Sequence, residues 1–313
     1  MKTYIGFDIG GTFVKGGIVE ENGKLLVFDS IPTDTKNIVS DLAGFTNKLI
    51  DKAGLSRDKI AGIGLGIPGM IDSENGVVTF AGNLDWKNFA IGYELSAVTG
   101  YVVKITNDAN AAALGEARFG GGKEYTDSIL VTLGTGVGCG IVIDGKLFSG
   151  RHSQGGEIGH MVIERGGLKC TCGRHGCFEV YSSATALIRD TKRAMIENVD
   201  SEMWQDYTPD TVDGLTAFSH AKTDRTAAKI IENYENNLVC GLVNLANIFR
   251  PDVIMLGGGI ANQGENLTKP VQKKFDSELF AHGLGVAVPI VKASLGNKAG
   301  VMGAAAYAMD EIK

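Results

Sequence analysis

Tyr4-Ile5-Gly6-Phe7-Asp8-Ile9-Gly10-Gly11-Thr12-Phe13-Val14-Lys15-Gly16-Gly17-Ile18-Val19 opens the chain with an apolar run, a glycine turn and a second apolar run. Asn22-Gly23 then signals a hairpin into a third strand over Lys24–Phe28. The same order of features returns about 124 residues further on. Ser128–Leu133 is apolar, Gly134-Thr135-Gly136 turns, Val137–Ile143 returns, and Asp144-Gly145 signals the next hairpin. Chance likeness of two hairpins is the alternative, but the shared order predicts duplication, and hence two domains of similar core topology facing one another.

Outward from these units the chain alternates strands with helices. Ile38, Leu42, Phe45 and Leu49 have helical spacing over 37–53, and strands follow at Ile60–Ile67 and Tyr101–Thr106, with a short helix over Ile91–Val98 between them. Asn107-Asp108-Ala109-Asn110 opens an alanine-rich helix through Arg118, and Phe119-Gly120-Gly121-Gly122 reads as a hinge. Past the second copy, a helix runs from Ala184 to about Glu197, Ser201–Asp213 reads as a polar surface loop, and a long helix from Arg225 stops before Pro251. A strand over Asp252–Leu256 closes on Gly257-Gly258-Gly259; a helix, a strand over Val286–Lys292 and a terminal helix from Ala299 complete an α/β pattern.

The 313 residues carry 30 Lys and Arg against 36 Asp and Glu, a net charge of −6. A mildly acidic surface argues against general affinity for nucleic acid or anionic lipid, both of which need clustered positive charge. No apolar run reaches the roughly 18 residues of a membrane helix, and Asp8 interrupts any signal segment. The expectation is a soluble, cytoplasmic protein. Glycine supplies 44 residues, about double the usual ~7%, clustered where the backbone must turn sharply or approach a ligand.

Gly10-Gly11-Thr12 and Gly134-Thr135-Gly136 each follow a strand, so consecutive N–H groups can point at phosphate oxygens and a Thr hydroxyl can add a donor. Neither is a P-loop, and Gly136-Val137-Gly138-Cys139-Gly140 lacks the helix a dinucleotide fingerprint requires. A lone glycine turn is more often an ordinary hairpin; two together point to phosphates clamped from both domains. Asp8 reads either as a ligand to Mg²⁺ through water or as a turn cap. Gly257-Gly258-Gly259 lies where a strand gives way to a helix, the place where open α/β sheets bind nucleotides.

Three of the five cysteines fall within Cys170-Thr171-Cys172-Gly173-Arg174-His175-Gly176-Cys177. Three thiolates and an imidazole suit a closed tetrahedral Zn²⁺ site of structural type. His160, ten residues upstream of Cys170, and His175, within the knuckle, compete as fourth ligand. Cys139 and Cys240 sit in apolar patterns and read as small core residues. Asn107-Asp108 lies at a strand-to-helix junction, where the helix N-terminus favours a carboxylate's charge; simple N-capping is the commoner use of an Asp at such a place. Glu157 and His160 stand three apart, and Glu179 follows the last cysteine by two. Around one pocket these groups suit a polyhydroxylated ligand; the bland reading is solvated loop charges.

With these residues in view, the chain resembles the ROK family of sugar kinases and repressors over nearly its whole length. The match runs through Asp8-Ile9-Gly10-Gly11-Thr12, Gly66-Ile67-Pro68-Gly69, Asn107-Asp108-Ala109-Asn110 and Leu133-Gly134-Thr135-Gly136. It continues through Gly156-Glu157-Ile158-Gly159-His160, Cys170-Thr171-Cys172-Gly173 with Gly176-Cys177, and Glu179. The resemblance implies the actin/hexokinase/Hsp70 type of fold, two ribonuclease-H-like domains around a cleft with a zinc loop. The expected division is 1–118 plus 297–313 and 119–296, the terminal helix returning to the N-terminal domain. It also implies Asp108 as general base, zinc on His160, Cys170, Cys172 and Cys177, and sugar hydroxyls held by Asn83, Asn107, Asp108, Glu157, His160 and Glu179. One departure is Phe13, where many members have Lys; Lys15 offers a nearby charge. Asn83 lies in Gly82-Asn83-Leu84-Asp85-Trp86, which follows the family's Asn-Leu-x-Trp.

The expected function is ATP- and Mg²⁺-dependent phosphorylation of a hexose, glucose first, at the 6-hydroxyl, with domain closure excluding water. N-acetylmannosamine, N-acetylglucosamine, fructose, allose and β-glucosides are the other candidate sugars. The rivals are a sugar-responsive repressor, disfavoured because the first strand begins by residue 4 with no helix-turn-helix ahead of it, and a non-catalytic sugar sensor. A homodimer with no nucleic-acid or membrane partner completes the expectation.

Overall fold

The glycine turn and hairpin at the N-terminus form three antiparallel strands, β1 (Thr3–Ile9), β2 (Phe13–Glu20) and β3 (Leu25–Pro32), in a computed structural model that describes residues 1–312. α1 (Ile38–Ala53) leads to β4 (Ile60–Ile67), which lies parallel to β1. A small antiparallel sheet follows, β5 (Met70–Asp72), β6 (Val77–Ala81) and β7 (Trp86–Phe89), then α2 (Ile91–Thr99), β8 (Val103–Asn107) and α3 (Asp108–Phe119). β8 pairs parallel with β4, giving the order β3-β2-β1-β4-β8.

The second copy repeats this plan. β9 (Ser128–Leu133), β10 (Val137–Ile143) and β11 (Lys146–Phe148) are followed by α4 (Glu179–Ser182), α5 (Ala184–Glu197), α6 (Thr216–His220), α7 (Arg225–Phe249) and β12 (Val253–Gly257). α8 (Glu265–Glu278), β13 (Ile290–Lys292) and α9 (Ala299–Glu311) end the chain. The sheet order is β11-β10-β9-β12-β13, matching the first sheet strand for strand, with β12 and β13 parallel. The expected duplication is therefore present in the topology. The chain divides into two compact units: residues 1–130, 140–156 and from Ser294 onward form one, and 131–139 with 157–293 form the other.

β1 is buried on both faces, and its alternation decides what covers each. Ile5, Phe7 and Ile9 join α1 and α2 side chains such as Leu42, Phe45, Leu49 and Leu95 in one core. Tyr4 joins Met302, Ala305 and Ala308 of α9 in another, so the terminal helix packs against the first sheet, as expected. Bare backbone sets that approach: a Cβ on Gly6 or Gly64 would overlap the carbonyl oxygen of Val301 or Ala304. α9 crosses α3 equally closely, and a Cβ on Gly303 would overlap the carbonyl oxygen of Ala111. Gly303→Val forces two backbones apart and should cost about 2–4 kcal/mol. Gly44→Ala, where a Cβ meets nothing within 4 Å in the interior of α1, should leave stability unchanged or raise it by up to about 1 kcal/mol. Urea midpoints of the two variants provide the comparison.

Three readings need correction. Met70–Trp86, which reads as a loop from sequence, instead belongs to the small sheet that spans residues 70–89. The strand expected over Val286–Lys292 is confined to Ile290–Lys292, because Pro289 offers no N–H to a ladder and the Val286 carbonyl accepts from Arg250 Nη2 at 2.8 Å. Ser201–Asp213 is not wholly surface loop: Ser201 and Met203 are buried, and a 3-10 turn spans Glu202–Gln205.

Candidate functional site

In the first unit the Gly10-Gly11-Thr12 turn is held from behind. Thr33 donates its N–H to the Thr12 carbonyl (3.0 Å) and its hydroxyl to the Gly10 carbonyl (2.7 Å), while Gly11 and Thr12 stay exposed. Asp8, two residues ahead of the turn, packs against Gly300 so closely that a Cβ there would crowd the carboxylate. Burial pushes the Asp8 carboxyl upward, and Lys15 opposes it from the facing position on β2, Nζ to Oδ2 3.5 Å.

At the β8–α3 junction the capping role falls to Asn107. Its Oδ1 accepts from the N–H groups of Ala109 (2.9 Å) and Asn110 (3.4 Å), and its Nδ2 donates to the Gly69 carbonyl (3.2 Å). Asp108 is thus the first residue inside a 12-residue helix, with Oδ1 accepting from Ala109 N–H at 2.9 Å; the dipole at that end favours its negative charge. Asn83 lies exposed in the 3-10 turn between β6 and β7, and its carbonyl oxygen is 3.7 Å from where a Gly11 Cβ would stand. Trp86 secures this loop by donating Nε1–H to the Thr35 carbonyl at 3.2 Å.

The second unit gathers most of its candidates around the Gly134-Thr135-Gly136 turn. Gly258, at φ 84°, packs on Leu133, where a Cβ would collide with backbone, so Gly257-Gly258-Gly259 adjoins the base of the turn. Gly159 packs equally tightly on the Val137 carbonyl, bringing His160 alongside. Glu179 accepts the Val137 N–H on Oε2 at 3.1 Å. Glu157 stands exposed just before the 3-10 turn Ile158–His160.

His160, Cys170, Cys172 and Cys177 place their ligand atoms within 4.8 Å of one another. Cys170 Sγ lies 3.6 Å from His160 Nδ1, and Cys172 Sγ lies 3.7 Å from Cys177 Sγ. A tetrahedron with Zn–S near 2.3 Å and Zn–N near 2.0 Å has edges of about 3.5–3.8 Å, so the donor set fits Zn²⁺. Burial, followed by hydrogen bonds that the Cys177 S–H donates to Cys172 and Cys170, pushes the Cys177 thiol up to about 12; a divalent cation among the donors reverses that cost by favouring the thiolate. His175 lies outside the cluster, exposed and bridged to Lys169. No sequence signal marks Thr33, or Thr185, whose hydroxyl donates to the Thr135 carbonyl at 2.8 Å, since isolated threonines are silent until their turn partners are seen.

Residues 4–311 match the family model for the ROK family. The chain belongs to the ROK family. A glucokinase of Halalkalibacterium halodurans is 36% identical over 311 residues, spanning 96% of this chain and 93% of that protein. A glucokinase of Streptomyces coelicolor is 35% identical, spanning 99% and 98%. The solved structure of a ROK family glucokinase from Streptomyces griseus in complex with glucose and AMPPNP has a TM-score of 0.83 and 33% identity, covering 98% of this chain and 99% of that one. This ROK protein shares that structure's two-domain α/β architecture with mixed sheets.

Proposed function

We propose that this ROK protein is an ATP-dependent sugar kinase, a glucokinase, transferring the γ-phosphoryl group of ATP to the 6-hydroxyl of glucose. The observation that carries the reading is the nearly full-length match to glucokinases at 35–36% identity. It is supported locally by Asp108 standing inside α3 with the cap supplied by Asn107.

In this reading Asp108 accepts the 6-hydroxyl proton while that oxygen attacks the γ-phosphorus in line. The O–P bond to the sugar forms, the bond to the β,γ-bridging oxygen breaks, and ADP departs. Backbone N–H groups of Gly10-Gly11-Thr12, Gly134-Thr135-Gly136 and Gly257-Gly258-Gly259 hold phosphates. Asp8 would hold Mg²⁺ through water, and the ion would supply neutralisation of phosphate charge. Asn83, Asn107, Glu157, His160 and Glu179 bind sugar hydroxyls, and His160, Cys170, Cys172 and Cys177 would hold a structural zinc that would stiffen the segment leading to Glu179. The working domains in this reading are 1–118 plus 297–313 and 119–296, a division that differs from the compact units in giving 119–130, 140–156 and 294–296 to the second domain. The net charge of −6 supports a role without nucleic acid. No helix among the described residues is long and apolar enough to cross a membrane. A cytoplasmic homodimer acting on small molecules completes the proposal.

A coupled ADP-release screen over about twenty sugars tests the reading, the panel being this broad because one group changes affinity only modestly. Glucose should give the highest kcat/KM. An N-acetylated hexosamine, fructose, allose or a β-glucoside in first place would reassign the substrate, and ADP release no faster with any sugar than without would reject kinase activity.

A further inference from the structure

The segment that follows the last zinc ligand clasps the backbone of residues 134–137 at three points: the Gly134 and Thr135 carbonyls and the Val137 N–H. Glu179 Oε2 accepts the Val137 N–H at 3.1 Å. Ala184 donates its N–H to the Gly134 carbonyl at 2.8 Å, and the Thr185 hydroxyl donates to the Thr135 carbonyl at 2.8 Å. The fit is close: a Cβ on Gly136 would overlap Glu179 Oε2. The clasp is built on the join between α4 and α5, where Ser183 caps α5 by accepting from Ala186 N–H at 3.1 Å.

The other end of the segment is fixed to the metal loop. Cys177 is two residues ahead of Glu179. Phe178 donates its N–H to the Met161 carbonyl at 2.7 Å, one residue past His160. The Tyr181 hydroxyl accepts the Leu168 N–H at 2.7 Å, and Phe178, fully buried, packs on Gly241 of α7. A short, continuous path of hydrogen bonds and packed side chains therefore runs from the ligands His160 and Cys177 to the backbone of the turn.

We infer that the zinc centre is a positioning element for the phosphate-binding turn: through Glu179, Ala184 and Thr185 it sets the backbone of residues 134–137, and with it the affinity for the nucleotide. The inference rests on the kinase reading for the nature of the ligand, and it extends the work of the zinc loop beyond holding sugar-binding side chains. Coupling between two linked sites typically changes affinity about 5- to 150-fold, and a hydrogen bond lost from such a path about three- to tenfold.

The test uses hydrogen–deuterium exchange and binding of a non-hydrolysable ATP analogue with Mg²⁺, both without sugar. The samples are the zinc-loaded protein, the same protein stripped by chelator, and Tyr181→Phe with its zinc content measured. Stripping should speed exchange of the 134–137 amides at least about tenfold and weaken analogue binding by a similar factor. Tyr181→Phe should keep its zinc yet speed the same amides about three- to tenfold. Faster exchange within 160–177 alone, with 134–137 unchanged, would overturn the inference. If stripping unfolds the chain, seen as rapid exchange in β1 as well, Tyr181→Phe decides, and unchanged turn amides there overturn it. A turn that responds in a protein binding no analogue in any state would instead reject the kinase reading while the positioning path stands.

Discussion

Asp108→Asn should lower kcat by at least about two orders of magnitude while leaving glucose binding within a few-fold of the parent. The substitution is nearly isosteric, and the helix cap does not rest on residue 108. Asn107 supplies the α3 cap, and an amide oxygen at position 108 can still accept the Ala109 N–H that Asp108 Oδ1 accepts at 2.9 Å. In the proposed reaction, what the variant loses is the capacity to take a proton from the hydroxyl as its oxygen moves to phosphorus. Loss confined to the transition state lowers kcat and kcat/KM together, so the split between kcat and KM separates a missing base from a damaged pocket. The coupled ADP assay reads the first and calorimetric glucose titration the second. Turnover close to the parent would remove Asp108 from the role of base, and unmeasurable glucose binding would make it chiefly a sugar ligand.

The parts of the molecule legible from sequence were those whose causes are local. The hairpins at Asn22-Gly23 and Asp144-Gly145 announce themselves in four residues each, and their repetition was enough to predict two sheets of one plan, both realised in the same strand order. The cysteine knuckle is local too, and its three thiols do converge, but its fourth ligand is not. Residues alone left His160 and His175 in competition, and the geometry places His160 in the cluster. The strands of the small sheet escaped because they run from three to five residues, too short to display a period. Val286 misled for the opposite reason: alternation continues through Val286 and Val288, yet the pairing of β13 with β12 covers only Ile290–Lys292. Asp108 looked like a cap because an Asp at a strand-to-helix junction usually is one; a one-residue offset gave that task to Asn107. Helix boundaries carry such ambiguity whenever two capping residues are adjacent. Contacts between residues far apart in the chain, such as Thr33 on the first glycine turn or Thr185 on the second, leave no trace in any window of sequence.

Glu116 is the extreme of that kind, and its removal should produce the largest loss of stability. It lies in the interior of α3 between Gly115 and Ala117, with nothing in its neighbours to mark it, and it is fully buried at 0% exposure. Its carboxylate accepts at Oε2 from Gly121 N–H (2.9 Å), Ser294 N–H (3.0 Å) and the Ser294 hydroxyl (3.2 Å), and at Oε1 from Leu295 N–H (2.6 Å). Three backbone donors and a hydroxyl, from segments 178 and 179 residues away as well as from the turn after α3, thus meet on one acceptor-only group. An ionised carboxylate suits this set because it presents lone pairs in every direction and no proton. Glu116→Ala strands those donors in a buried pocket, at roughly 1–3 kcal/mol for each that water does not reach, so the expected cost is about 3–5 kcal/mol. Glu116→Gln keeps one acceptor oxygen but turns an NH₂ group toward donors, so its cost should be intermediate, about half as large. Urea unfolding of the three proteins orders them, and a loss below about 1 kcal/mol in Glu116→Ala would mean that solvent replaces the carboxylate. The order also discriminates causes. A cavity effect would spare Glu116→Gln, which matches the parent in volume, whereas an acceptor effect penalises it.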